Sequence, residues 1–195
     1  MILKKMTIII YHPKLEYPKE LPYMKFKTLK VKILMPICYL YLIKLTIFLL
    51  LLVVFVPRAE IRRLFAYGLI FGSLYDVVGL TIGHFTNLFR WINFYPFGYG
   101  YLPFASPISW CAFYIIYFYL LPKQKPIIYI FPISGIVMSM IYSRVLVNLG
   151  MFIEPNFILR LANFTLWFSY ATWGYVKLSE YIDAKNGGIH KKAWS

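Results

Sequence analysis

"LFAYGLIFGSLYDVVGLTIG", residues 64–83, is a run of twenty residues whose only charged side chain is Asp76. A helix of about twenty apolar residues, rising about 1.5 Å per residue, matches the roughly 30 Å hydrocarbon thickness of a bilayer. An exposed helix of that length in water would carry a charged face, and this one has none. Gly68, Gly72, Asp76, Gly79 and Gly83 recur at spacings of four, four, three and four, which on an α-helix is one face. Gly68, Gly72, Gly79 and Gly83 therefore read as a helix-packing seam, since small residues let helices approach where lipid gives no hydrophobic drive for association.

Working outward, four further apolar stretches are long enough to be read as spans, at 33–56, 106–121, 127–150 and 157–175, the last fraying on to 182. The links between spans are "PRAEIRR", "WINFYPFGYGYLPFASPISW", "PKQKP" and "MFIEPN", each with proline, charge or both. The composition agrees: 61% of the residues are hydrophobic and only 14% charged, which is not the balance of a water-soluble domain. Only helices and closed barrels cross lipid, and no stretch alternates like a barrel strand. The fold class expected is all-α, an integral membrane bundle of about five transmembrane helices. Residues 1–32 form a basic amino-terminal tail, 33–182 one helical domain, and 183–195 a basic carboxyl-terminal tail.

The net charge of +14 could mark a nucleic-acid binder, but most of the lysines gather near the two ends of the chain, and the middle is apolar. That distribution suits anionic lipid head groups, at about 1 kcal/mol per basic residue near the surface, and no nucleic-acid partner is expected. A second copy or another membrane protein is a partner that the glycine seam would suit. Lys and Arg in short loops orient the bundle. Arg58, Arg62, Arg63, Lys123, Lys125, Lys185, Lys191 and Lys192 fall on one side of a five-span chain, against Arg90 and Arg160 on the other. The carboxyl terminus is accordingly placed in the cytoplasm and the protein in the cell membrane, multi-pass. The lysines that precede the first span oppose this; a start at Met35 would remove the conflict. The aromatic stretch 91–110 then becomes an external cap, with Trp and Tyr rings at the interface.

An intramembrane carboxylate must be paired, protonated or wetted. Arg144 is the expected partner of Asp76, with Asn148 one turn beyond it and His84 just past the end of the same span. Two readings of this polar cluster stay open, an ion pair that fixes helix register and a proton or ligand site. Lys44 lies about 11 residues into the first span, and either it faces a partner or the span proper starts at Leu45. Asn163 and Thr165 form a glycosylation-type triplet inside a span, read as an interhelical hydrogen bond. The two cysteines, Cys38 and Cys111, read as free thiols, with a single disulfide as the alternative. There is no HExxH, CxxC, GxSxG or glycine-rich phosphate loop, and His12, His84 and His190 lie far apart. No catalytic residue, metal or cofactor is expected, and the chain does not read as an enzyme.

From about residue 50 to 182, "VPRAEIRR", "YDVVGLTIG", the aromatic "WINFYPFGYGYLPFASPISW" and "NLGMF" occur in an order that resembles a family of small, uncharacterised multi-span membrane proteins of spore-forming Gram-positive bacteria. The resemblance implies a bacterial multi-pass membrane protein and carries no activity. The first expectation for function is a non-catalytic structural or accessory subunit of a membrane complex. The alternative is a small transporter or channel component using the Asp76, Arg144 and His84 cluster for proton or ligand binding. A binder of, or enzyme for, a lipid or isoprenoid under the aromatic cap ranks third.

Overall fold

The computed structural model describes residues 36–153 and 156–185. The amino-terminal tail and residues 186–195 of the carboxyl-terminal tail lie outside the described residues.

Each apolar run closes its backbone hydrogen bonds within itself, and the chain is mostly helical with a few short strands. Helix α1 spans Cys38–Phe55, and α2 spans Arg58–Gly68. From α2 the chain runs without a break through a π-helical segment, Leu69–Leu74, into α3, Tyr75–Thr86. Then come α4 (Ala105–Leu120), α5 (Lys125–Asn148) and α6 (Phe157–Lys185). Three helical stretches are long and apolar enough to cross a membrane: Cys38–Phe55, Arg58–Thr86 and Pro126–Asn148. Helix α4 is apolar but shorter.

The second rod starts at Arg58, six residues ahead of the apolar run, so "PRAEIRR" is mostly helix rather than link. Hydropathy marks where lipid would begin, whereas the helix begins after Pro57, with an Arg63–Glu60 ion pair of 2.6 Å across its exposed first turns. Helix α6 likewise continues to Lys185, beyond the last strongly apolar turn.

Helix α4 is the hub, although it is the shortest of the apolar runs. Tyr114 and Ile115 are almost fully buried, and α1, α2 and the π segment all pack on this helix. Its rings meet those of α6: Trp110 and Trp167 lie 4.4 Å apart between centroids, and Phe118 stacks on Tyr175 at 4.5 Å. The Tyr117 and Thr172 hydroxyls close a 2.7 Å hydrogen bond within this interface.

A second, smaller core lies at the other end of the bundle, around Tyr41, Leu80, Trp91, Leu146 and Met151. Here the link after α3 meets the link after α5. Strand β1 (Arg90–Trp91) pairs antiparallel with β4 (Phe152–Ile153), Trp91 opposite Phe152. Within the aromatic segment β2 (Gly98–Tyr99) pairs with β3 (Leu102–Pro103), and Gly100 at φ 58° makes their turn. The Tyr41 hydroxyl, fully buried, sits between the carbonyls of Ile92 at 2.6 Å and Met151 at 2.8 Å. One side chain of α1 thus ties both links to the same end of the bundle.

Candidate functional site

Asp76 follows the π segment directly, and that segment determines where it points. A π turn holds more residues than an α turn, so it shifts the helix phase between Gly68–Gly72 and everything after it. The single glycine face expected for a straight α-helix is therefore split. A Cβ on Gly72 would stand 2.5 Å from the Trp110 carbonyl oxygen, and one on Gly68 2.6 Å from Ile115, so this pair forms the contact with α4. Gly83 instead faces the Phe89 ring, and Gly79 has nothing within 4 Å. The Phe71 carbonyl, inside the π segment, accepts a 2.6 Å hydrogen bond from the Trp167 indole of α6, which satisfies a backbone group in the altered ladder.

Asp76 itself is buried, at 7% exposure, and so is Lys44 of α1, at 8%. The two charges attract each other across the site without closing a contact salt bridge. The Lys44 ammonium stands 4.6 Å from the centroid of the Trp91 ring, which β1 holds in place. Ser106, at the start of α4, is fully buried, and its hydroxyl lies beside the Asp76 carboxylate but outside hydrogen-bond geometry. Asp76 Oδ2, Lys44 Nζ, the Trp91 indole nitrogen, Ser106 Oγ and the Tyr142 hydroxyl are all buried atoms with no hydrogen-bond partner among the described residues. Buried polar atoms are nearly always satisfied, so four such atoms gathered around an equally unpaired carboxylate oxygen make this the candidate site.

Beside the carboxylate lies a cavity of about 70 Å³. Its polar lining is Asp76, Tyr142, Ser143 and Asn163, and its walls are mainly rings, among them Trp91, Trp110 and Trp167. All the helices except α2 therefore contribute a side chain to the cavity or to the charge pair that flanks it.

The sequence-expected cluster of Asp76, Arg144, Asn148 and His84 does not assemble in one place. Tyr142, Ser143 and Leu146 take the inward face of α5, and the step of about 100° per residue turns Arg144 to an exposed position. Asn148 is also exposed. His84 is exposed at the end of α3 and stacks on Tyr101 at 4.5 Å. The cation facing Asp76 is Lys44, and the polar company is Ser106, Tyr142 and Asn163. Depth alone left the partner open: counted from the same boundary, Lys44, Arg144 and Asp76 all fall in the same half of their spans. No comparable signal marks Ser106 or Tyr142, which are an ordinary Ser and Tyr in apolar helices. Cys38 and Cys111 are both free thiols. Among the described residues no three His, Cys, Asp or Glu side chains gather as a metal site would require.

A largely apolar groove of about 350 Å³ lies between α1, α4 and α5, and Trp110 and Tyr142 belong to its lining and to that of the cavity.

Comparison with known proteins finds no matching family model, and no significant match among curated proteins or solved structures.

Proposed function

We propose that this chain is a five-span protein of the bacterial cell membrane that works as a small transporter or channel component, with Asp76 and Lys44 as its ion-handling centre. Helices α4 and α6 complete the five spans in this reading, α4 as the short central one. The amino terminus faces outward and the carboxyl terminus the cytoplasm, following the excess of Arg and Lys after α1 and α4 and at the end of α6. The Asp76 centre then lies in the outer half of the membrane, under the aromatic cap. The reading assigns the chain no catalytic role.

The observation that carries this reading is the open geometry around Asp76. A pair retained only to fix register would close its contacts, because an imperfectly paired buried charge costs more than the attraction returns. Here Asp76 Oδ2, Lys44 Nζ and three further buried polar atoms have no hydrogen-bond partner among the described residues, and a cavity lies beside them. Intramembrane ionisable residues of this kind mark ion and proton pathways. The groups facing Asp76 are Lys44 from α1, Ser106 from α4 and Tyr142 from α5.

The accessory-subunit reading drew on the glycine seam as a surface for a partner helix. Gly68 and Gly72 are spent within the chain against α4, which lowers the support for that reading.

The test is proteoliposomes loaded with a pH-sensitive dye and given an acid pulse. The wild-type chain should dissipate the gradient faster than empty vesicles, and Asp76→Asn should return the rate to that of empty vesicles. Equal rates for wild type and Asp76→Asn would overturn the proposal.

A further inference from the structure

We infer that the cavity beside Asp76 is a binding site for a small monovalent ammonium cation, of the size of ammonium or methylammonium, which competes with the tethered Lys44 ammonium for one carboxylate. The inference rests on the reading of Asp76 as a functional centre and names the class of its ligand.

Size comes first. A cavity of about 70 Å³ holds a guest of roughly two water molecules, at about 30 Å³ of liquid volume each. That is room for ammonium or methylammonium, and a tetramethylated cation would bring no N–H to the carboxylate.

Charge and hydrogen bonding come next. Asp76 lines the cavity, is more than nine-tenths buried, and its Oδ2 has no hydrogen-bond partner among the described residues. An N–H donor with a positive charge is the guest that a buried carboxylate oxygen takes most strongly. Tyr142, whose hydroxyl also has no partner among the described residues, and Asn163 offer further oxygens in the same lining.

The rest of the lining separates ammonium from the alkali ions. Sodium and potassium need a shell of oxygens to replace their water. The cavity has more ring than oxygen, with Trp91, Trp110, Trp167 and Phe164 among its walls. Aromatic faces attract an ammonium through the ring quadrupole, and an organic cation has no rigid coordination shell to fill.

The molecule already displays this chemistry. Lys44 places its own ammonium 4.6 Å from the Trp91 ring, and Trp91 also lines the cavity. Lys44 is not among the residues that line the cavity but interacts with the carboxylate that does, so a guest cation and Lys44 address the same charge. Removing the Lys44 charge therefore strengthens the guest.

The experiment uses the full-length chain in lipid nanodiscs, at constant pH and ionic strength, with tryptophan fluorescence as the readout, because three Trp side chains line the cavity. Ammonium and methylammonium chloride should each give a saturable change, with sodium, potassium and tetramethylammonium chloride giving none. In Lys44→Met the half-saturating methylammonium concentration should fall at least tenfold, and in Asp76→Asn the change should vanish. The selectivity among cations is read on the wild-type chain and depends on no variant. A response shared with sodium, one that survives Asp76→Asn, or no saturable response in either wild type or Lys44→Met would overturn the inference. Should gradient dissipation in proteoliposomes still require Asp76 while methylammonium fails to bind, this inference falls and the functional reading stands. Should both fail, both fall.

Discussion

Asp76 and Lys44 are neighbours in a space that offers each of them less than a full set of partners. The Lys44 ammonium has a ring beneath it and a carboxylate within electrostatic reach, but no hydrogen bond among the described residues. Tyr41, three residues earlier on α1, is the opposite case: fully buried, with two backbone carbonyls on its hydroxyl. Its role is to hold the two links that frame the site. Tyr41→Phe keeps the ring and its edge contact with Trp91 but strips the proton from the Ile92 and Met151 carbonyls. The expected loss is about 1–3 kcal/mol, the cost of leaving buried acceptors unmet. Melting of the purified variant, followed by circular dichroism, checks it; an unchanged Tm would mean that the β1–β4 pairing alone holds the two links.

At the scale of elements, the π segment is the feature with the widest consequences. It lets Gly68 and Gly72 press on α4 while Asp76, only four residues past Gly72, faces the cavity. Substitutions along the rod should therefore differ sharply by position. Gly72→Ala drives a methyl group against the Trp110 backbone, which has no flexible end to move aside, and should destabilise by about 1–3 kcal/mol. Gly79→Ala meets open space and should be neutral or stabilise by up to about 1 kcal/mol through helix propensity. Thermal unfolding of the two variants side by side makes the comparison; equal losses would deny the phase shift. The helices themselves were legible from apolar run length, because lipid leaves the backbone no other way to satisfy itself. Their first turns were not, since Arg58, Glu60, Arg62 and Arg63 are charged and belong to the helix without belonging to the apolar run. The π segment left no mark in "LIFGSL" that distinguishes it from α-helix, so the glycine spacing was read on the wrong period.

For the whole molecule, the links after α3 and after α5 meet at one end, and those after α1 and after α4 serve the other. Tyr99 is 84% exposed at the first end, and Lys123 is exposed at the second. In a background without Cys38 and Cys111, a single cysteine at Tyr99 should label from outside intact cells with a membrane-impermeant maleimide, and one at Lys123 should not. The reverse pattern would invert the protein and place the Asp76 centre in the inner half. The candidate site was legible in part. Asp76 stood out as the lone carboxylate of an apolar run, but choosing among Lys44, Arg144 and His84 needed the rotational phase of three helices. A shift of one residue, from Ser143 to Arg144, decides which side chain faces inward.

The central claim is that the buried charges are kept for function and at a cost to the fold. Replacing both, Lys44→Met together with Asp76→Leu, removes two desolvated charges and fills part of the cavity with hydrocarbon. Such replacements of buried ion pairs are commonly neutral or stabilising by about 1–4 kcal/mol. The measurement is the Tm of this double variant in the same detergent as the wild type. An equal or higher Tm, with gradient dissipation lost, is the result expected; a Tm clearly below wild type would mean that Asp76 and Lys44 hold the bundle together, and would contradict the account.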